Sequence, residues 1–194
     1  MRTIDRSRAG ALDAIELIRA DHRTLKSLFR RFEAADTHEE KKEIARTAIE
    51  AIDLHALIEE EAFYPALRRA IGDEEMLVEA REAHHAVKLL LAELKLMPAG
   101  ARYSAKFALV CESLRRHIED EENELLPVAS RTGLDLARLG GEMSALRESV
   151  VGRVVARAGG RTGVAAVVGG AALIAGIVAL VVTALRGGDA GRSG

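Results

Sequence analysis

Residues 55–65 read HALIEEEAFYP, and residues 117–127 read HIEDEENELLP. Both run from a histidine to a glutamate four positions on, continue with a second glutamate, and close on a proline. Four positions is little more than one helical turn, so His55 and Glu59 share a helix face, as do His117 and Glu121. The shift along the chain that takes His55 to His117 also superposes His22 on His84, Glu60 on Glu122, Ile15 on Leu77, Leu25 on Val87, Leu28 on Leu90, Phe29 on Leu91 and Phe32 on Leu94. Each half is therefore a helix pair, with one histidine on the first helix and His-xxx-Glu on the second, and His22 stands as far before His55 as His84 does before His117. Six histidines in 194 residues give a given position only about a 3% chance of meeting another at a fixed shift. Two such pairs with matching glutamates mark a duplicated plan.

The rest of the chain agrees with helices. Ala, Leu, Glu, Arg and Lys dominate residues 11–160, only three prolines occur, and β-branched alternation is scarce. The spacing predicts helices over roughly 13–35, 39–70, 73–96 and 102–130, separated by Asp36-Thr37, by Gly72-Asp73 and by Met97-Pro98-Ala99-Gly100. Four helices with short connections pack as an all-α, up-down four-helix bundle. A fifth helical stretch, about 134–159, carries Met143, Leu146, Val150 and Val154 and is expected to be interrupted at Gly140-Gly141. The expected organisation is a flexible N-terminus (1–12), the metal-binding bundle (13–130), a linker helix (131–162), a transmembrane helix (163–185) and a short tail (186–194).

The transmembrane expectation rests on Gly163–Leu185, a run without a charge between Arg161 and Arg186. At 1.5 Å per residue such a run spans a hydrocarbon core of ~30 Å. More arginines precede the run than follow it, so the positive-inside rule predicts a single-pass protein of the cell membrane with its N-terminal bundle cytoplasmic. Ala166-xxx-Gly170 and Ala172-xxx-Gly176 suggest a homodimer through that helix. The opening residues MRTIDRSRAG lack the apolar stretch of a secretory signal. A net charge of -2 supplies no basic field for nucleic acid, and Cys111, the single cysteine, excludes a disulfide framework, a thiolate zinc knot and a cysteine-held iron-sulfur cluster.

The inward stripe of the second helix runs Ala48, Ile52, His55, Glu59, Ala62, Ala66, and that of the fourth runs Val110, Leu114, His117, Glu121, Leu125, Val128. His22 lies between Ile18 and Leu25 on an apolar face, and His84 between Leu77 and Leu91. The repeat selects His84 over its neighbour His85, which matches Arg23; His85 and His38 are read as solvent-facing. One buried histidine is an ordinary core imidazole, but a glutamate on a core face must neutralise or find a cation, and no lysine or arginine shares these stripes. A metal supplies the charge. The candidate ligands are His22, His55, Glu59, His84, His117 and Glu121. Imidazole with carboxylate and no thiolate suits iron, manganese or zinc. Two carboxylates among four imidazoles suit two ions, most simply two irons with Glu59 and Glu121 bridging, an oxo or hydroxo bridge, and room for an exogenous ligand. Glu60, Glu61 and Glu122 are read as solvated charges or partners behind the ligands, Cys111 as packing, and Tyr64 and Tyr103 as without a placed role.

With these motifs in order (Asp21-His22, His55-xxx-Glu59-Glu60 before Tyr64-Pro65, His84-His85, and His117-xxx-Glu121-Glu122 before Leu126-Pro127) residues 13–130 resemble the haemerythrin-like family, also called haemerythrin HHE cation-binding proteins. The resemblance implies a four-helix bundle with a non-haem di-iron centre. It implies binding, sensing or reduction of a small oxidant (oxygen, peroxide or nitric oxide), as in oxidative or nitrosative stress. Oxygen carriers of the family have another histidine where this chain has Lys88 and an aspartate where it has Glu122, so the chain is closer to bacterial four-histidine, two-glutamate members. Iron donation for iron-sulfur repair and a non-catalytic, metal-stabilised membrane adaptor are the alternative expectations.

Overall fold

The computed structural model describes residues 12–72 and 74–159. Seven α-helices occur among them: α1 (Ala14–Ala34), α2 (His38–Ile58), α3 (Tyr64–Ile71), α4 (Glu75–Leu94), α5 (Ala101–Asp120), α6 (Leu126–Arg131) and α7 (Leu136–Gly159). Asp13 begins α1 as a reciprocal capping box, its carboxylate accepting from the Glu16 N–H at 2.9 Å while Glu16 accepts from the Asp13 N–H at 3.0 Å. Thr37 caps α2 through the Glu40 N–H. Gly72, at φ +84°, closes the second arm in the left-handed region that an L side chain resists.

Helix α1 packs on α2 and α4 on α5, so each half of the repeat forms one antiparallel pair. The pairs meet through Leu25, Phe29, Phe32, Ala48, Ile52, Leu91, Leu94, Phe107, Val110 and Leu114, all buried. The Phe32 and Phe107 rings cross edge to face at 4.7 Å between centroids. This apolar core fills the bundle toward the α1–α2 turn. The histidines and glutamates occupy the next layer along the same helices.

The two helices expected over 39–70 and 102–130 are each broken by a short π turn, Glu59–Phe63 after α2 and Glu121–Leu125 after α5. The cause lies in Pro65 and Pro127. A proline inside a helix lacks the N–H its turn needs and crowds the carbonyl four positions back, here of Glu61 and Asn123. The widened turn relieves this, with the Tyr64 and Leu126 N–H groups bonding the Glu59 and Glu121 carbonyls five positions back.

The linker stretch departs from expectation in the opposite sense, since α7 continues through Gly140-Gly141. Gly140 is there for space: a Cβ on it would stand 2.4 Å from the Leu12 carbonyl oxygen and 2.9 Å from the Ala14 nitrogen. The backbone at the start of α1 therefore lies directly against α7, flanked by buried Leu139 and Met143. The chain divides into two compact units at Ser144, so only the first part of α7 belongs with the bundle.

The expected single transmembrane helix is not borne out. No helix among the described residues is long and apolar enough to cross a membrane, each having charged side chains along its length. The stretch 163–185 expected to do so lies outside the described residues.

Candidate metal centre

The structure gathers His22, His55, Glu59, His84, His117 and Glu121 into one buried cluster, none more than 3% exposed. His22 comes from α1, His55 and Glu59 from the end of α2 and its π turn, His84 from α4, His117 and Glu121 from the end of α5 and its π turn. His85 and His38 are exposed.

Each glutamate faces one histidine from each half of the repeat. Glu59 Oε2 lies 3.3 Å from His55 Nε2 and 3.4 Å from His84 Nε2. Glu121 Oε2 lies 3.3 Å from His22 Nε2 and 3.6 Å from His117 Nε2. Two overlapping four-donor groups result, His55, Glu59, His84 and His117, and His22, His55, Glu59 and Glu121, with donor atoms within 4.8 Å of one another in each.

The donor set fits metal ions. His84 Nε2 and His117 Nε2 point at each other 2.9 Å apart. Two imidazole nitrogens at roughly 2.0–2.1 Å from one metal and at right angles would lie about 3 Å apart. His22 Nε2, His55 Nε2, Glu59 Oε1 and Glu121 Oε2 are buried and make no hydrogen bond within the protein. Four orphaned polar atoms in one pocket are a costly arrangement unless a ligand satisfies them.

Burial holds the imidazoles of His84 and His117 neutral, with their lone pairs available. Desolvation, then repulsion from His117 and His55, pushes His84 down to about 2. Desolvation, opposed by Glu121, takes His117 to about 4. The carboxylates separate: burial and then the Glu121 charge raise Glu59 well above the carboxylate range, while for Glu121 burial is outweighed by His22, His117 and His55, leaving it below that range. Two carboxylates this close cannot both stay charged without a cation.

Behind the cluster the two halves exchange partners. His22 Nδ1 meets Glu122 Oε1 at 3.0 Å, and Glu122 is held by Lys26 at 2.9 Å. His84 Nδ1 meets Glu60 Oε1 at 3.1 Å, and Glu60 is held by Lys88 at 2.5–2.6 Å. The shift that relates Glu60 to Glu122 also relates Lys26 to Lys88, so the repeat reappears as a near two-fold arrangement in which each half orients a histidine of the other. A carboxylate on the outer nitrogen fixes a ligating histidine's tautomer and ring plane. Asp21 Oδ2, 3.7 Å from His55 Nδ1, has no acidic counterpart because the matching residue is Ala83.

Tyr64 joins the site although helical spacing assigns it no role. Its hydroxyl donates to Glu121 Oε1 at 2.7 Å and lies 3.2 Å from Glu59 Oε2. In an α-helix a residue five positions after Glu59 would point ~140° away from it. The π turn closes a full turn over that interval, and the phenol swings onto the face of Glu59. The matching residue is Leu126, which has no hydroxyl to offer.

This architecture, a bundle of antiparallel helix pairs with imidazoles and carboxylates directed into its centre, defines a class of helical metal-binding domains. The chain belongs to the family described as the Hemerythrin HHE cation binding domain, whose match covers residues 13–129. A crystal structure of a Hemerythrin HHE cation binding domain-containing protein from Mycobacterium kansasii matches with a TM-score of 0.65 at 25% identity, over 81% of this chain and 98% of that one. An uncharacterised hemerythrin-like protein of Schizosaccharomyces pombe is 27% identical over 110 residues, 55% of this chain and 54% of its own length. The chain thus spans about half the length of that relative. Family and cluster together support metal binding by this domain.

Proposed function

We propose that the bundle is a non-haem di-iron protein that binds, senses or reduces a small oxidant: oxygen, peroxide or nitric oxide. The observation that carries this reading is the sharing of each buried glutamate between histidines of both halves; two ions would be held by His22 and His55 and by His84 and His117, together with Glu59 and Glu121. Manganese or zinc would fit the same donors. Iron held there would supply electrons and open coordination positions to a small oxidant.

The chain's own groups have separable tasks. The neutral imidazoles of His84 and His117 offer lone pairs without first losing a proton. Glu60 with Lys88, and Glu122 with Lys26, hold the rings of His84 and His22 in one orientation. Tyr64 holds a proton between the two glutamates and fixes the spacing of their oxygens. Burial of all six side chains excludes bulk water and organic substrates, which restricts the ligand to a few atoms. Lys88 stands where oxygen carriers have a further histidine, which favours sensing or reduction over reversible carriage.

The test is metal analysis with an optical spectrum of freshly purified protein. The expected result is two irons per chain and a near-ultraviolet charge-transfer absorption that changes on adding nitric oxide, peroxide or azide. A metal-free protein that ignores added ferrous iron would overturn the reading.

A further inference from the structure

The near two-fold plan of the bundle is broken at one place, where a cavity reaches two residues of the cluster. A cavity of about 50 Å³ is lined by Ala80, Ala83 and Leu125, has His117 and Glu121 on its wall, and carries Glu79, Asp120 and Glu124 at its rim. The three rim carboxylates are exposed and form no ion pair among the described residues. Glu121, which lines the cavity, is 2% exposed, and its Oε2 is one of the orphaned buried atoms.

The matching positions in the other half are apolar and buried. The repeat matches Glu79 with Leu17, Ala80 with Ile18, Asp120 with Ile58 and Leu125 with Phe63. All four partners are buried, at 7%, 1%, 1% and 0% exposure. Acid and alanine at one end stand where leucine and isoleucine seal the other. Helix α7 packs against the start of α1 and accounts for part of the sealing in the first half, whereas the second half keeps a cavity beside His117 and Glu121.

The charge of the opening selects what passes. A neighbouring groove of about 550 Å³ is lined by Arg68, Arg69 and Arg81 and reaches Glu60 and Tyr64, without any of the six cluster residues on its wall. The acidic rim attracts cations, and a cleft lined by one sign of charge raises local counter-ion concentration and association rate.

We propose that the cavity between α4 and the π turn after α5 is the inlet through which divalent iron reaches the cluster, with Glu79, Asp120 and Glu124 as the attracting rim and Ala80 and Ala83 as the gap. The proposal rests on the reading of the six residues as a metal site. It adds that loading is one-sided, reaching the His84–His117 position before the His22–His55 position.

The experiment is stopped-flow uptake of ferrous iron by the metal-free full chain under anaerobic conditions, read by absorbance and by iron content at the end. Three proteins are compared with the unmodified chain: Glu79→Gln/Asp120→Asn/Glu124→Gln, the cavity-filling Ala80→Val, and the control Asp36→Asn/Glu39→Gln/Glu40→Gln at the α1–α2 turn. The rim variant is expected to take up iron about ten-fold more slowly at low ionic strength. The difference should shrink toward nothing at ~1 M salt, where charges are screened beyond about 3 Å. Ala80→Val is expected to slow uptake at every salt concentration, and the control to load at the unmodified rate. Final iron content should be equal in all four. Uptake by the rim variant as fast as that of the unmodified chain, with full final loading, overturns the inlet while leaving the metal site intact. Failure of the unmodified chain to load overturns the metal site and the inlet together.

Discussion

Glu59 offers the sharpest separation between a carboxylate kept for a metal and one kept for the fold. It is fully buried, its pKa is raised well above the carboxylate range by burial, and its Oε1 makes no hydrogen bond. An unsatisfied buried polar group costs about 1–3 kcal/mol. Glu59→Met keeps the unbranched shape and helix propensity while deleting the polar atoms. The one hydrogen bond lost, 3.2 Å from the Tyr64 hydroxyl, leaves that hydroxyl its shorter bond of 2.7 Å to Glu121. The metal-free variant should therefore be more stable than the metal-free parent by roughly 1–2 kcal/mol, after allowing up to about 1 kcal/mol for the weaker bond. With a urea m-value of about 2 kcal/mol/M, the midpoint should rise by about 0.5–1 M. In the presence of iron the order should reverse, because the parent gains binding free energy that the variant cannot. The assay is urea unfolding followed by far-ultraviolet circular dichroism, with and without ferrous iron. A variant less stable than the parent in both conditions would make Glu59 a structural residue and refute the reasoning.

Acidification gives a second expectation. Folded His84 and His117 bind protons only near pH 2 and pH 4, whereas in the unfolded chain they bind near 6.5. Below about pH 6.5 these two imidazoles hold more protons in the unfolded state and lower metal-free stability as pH falls by up to about 1.4 kcal/mol per unit each, with only His84 contributing below pH 4. Glu59, raised by burial, holds its proton in the folded state and offsets about one imidazole above the carboxylate range. Denaturant midpoints across pH 4–7 check this, and a flat profile counts against neutral buried imidazoles. Glu60→Gln and Glu122→Gln, which weaken the acceptors on His84 and His22, should each lower metal affinity about 10–100-fold in competition with a chelator while leaving the helical spectrum intact. Gly140→Ala would place a Cβ 2.4 Å from the Leu12 carbonyl oxygen, and the backbone shift it forces should cost about 1–3 kcal/mol, read as a lower melting temperature. Cys111 is buried among apolar side chains, which pushes its thiol up to about 12; it should resist iodoacetamide in the native protein and react on unfolding.

The residues that the internal repeat aligns are the residues the structure gathers, because the repeat and the helical stripe both report which side chains face inward. The repeat selects His84 over His85, and the structure buries the first and exposes the second. Tyr64 is hidden from such a reading for a specific reason. A constant 100° per residue turns it away from Glu59, and only the π turn turns it back. Pro65 and Pro127 are the visible signals of that turn. The crossed Lys26–Glu122 and Lys88–Glu60 pairs are within reach of the repeat, since both lysines and both glutamates are related by the same shift. Sequence periodicity does not tell which half each glutamate serves, because that depends on how the two helix pairs pack. Gly140 works in the other direction: a helix breaker by propensity, it is a point of close approach inside a continuous helix.

Several departures from two-fold symmetry fall around the cluster and differ in kind from one end to the other. Around His22 and His55 the chain places Asp21 within 3.7 Å of an imidazole and closes the surface with Leu17, Ile18, Ile58 and Phe63. Around His84 and His117 the matching positions hold Ala83, Glu79, Ala80, Asp120 and Leu125, which line a small cavity beside His117. Tyr64 reaches into the cluster with its hydroxyl, and the residue the repeat matches to it, Leu126, has none. If the two metal positions differ in access and in the charge behind their histidines, they should differ in affinity. Titration with ferrous iron should then give two resolved steps, and Ala83→Asp, which copies Asp21 into the second half, should bring the two affinities closer together. Two indistinguishable sites in the unmodified chain would mean that these substitutions serve packing alone.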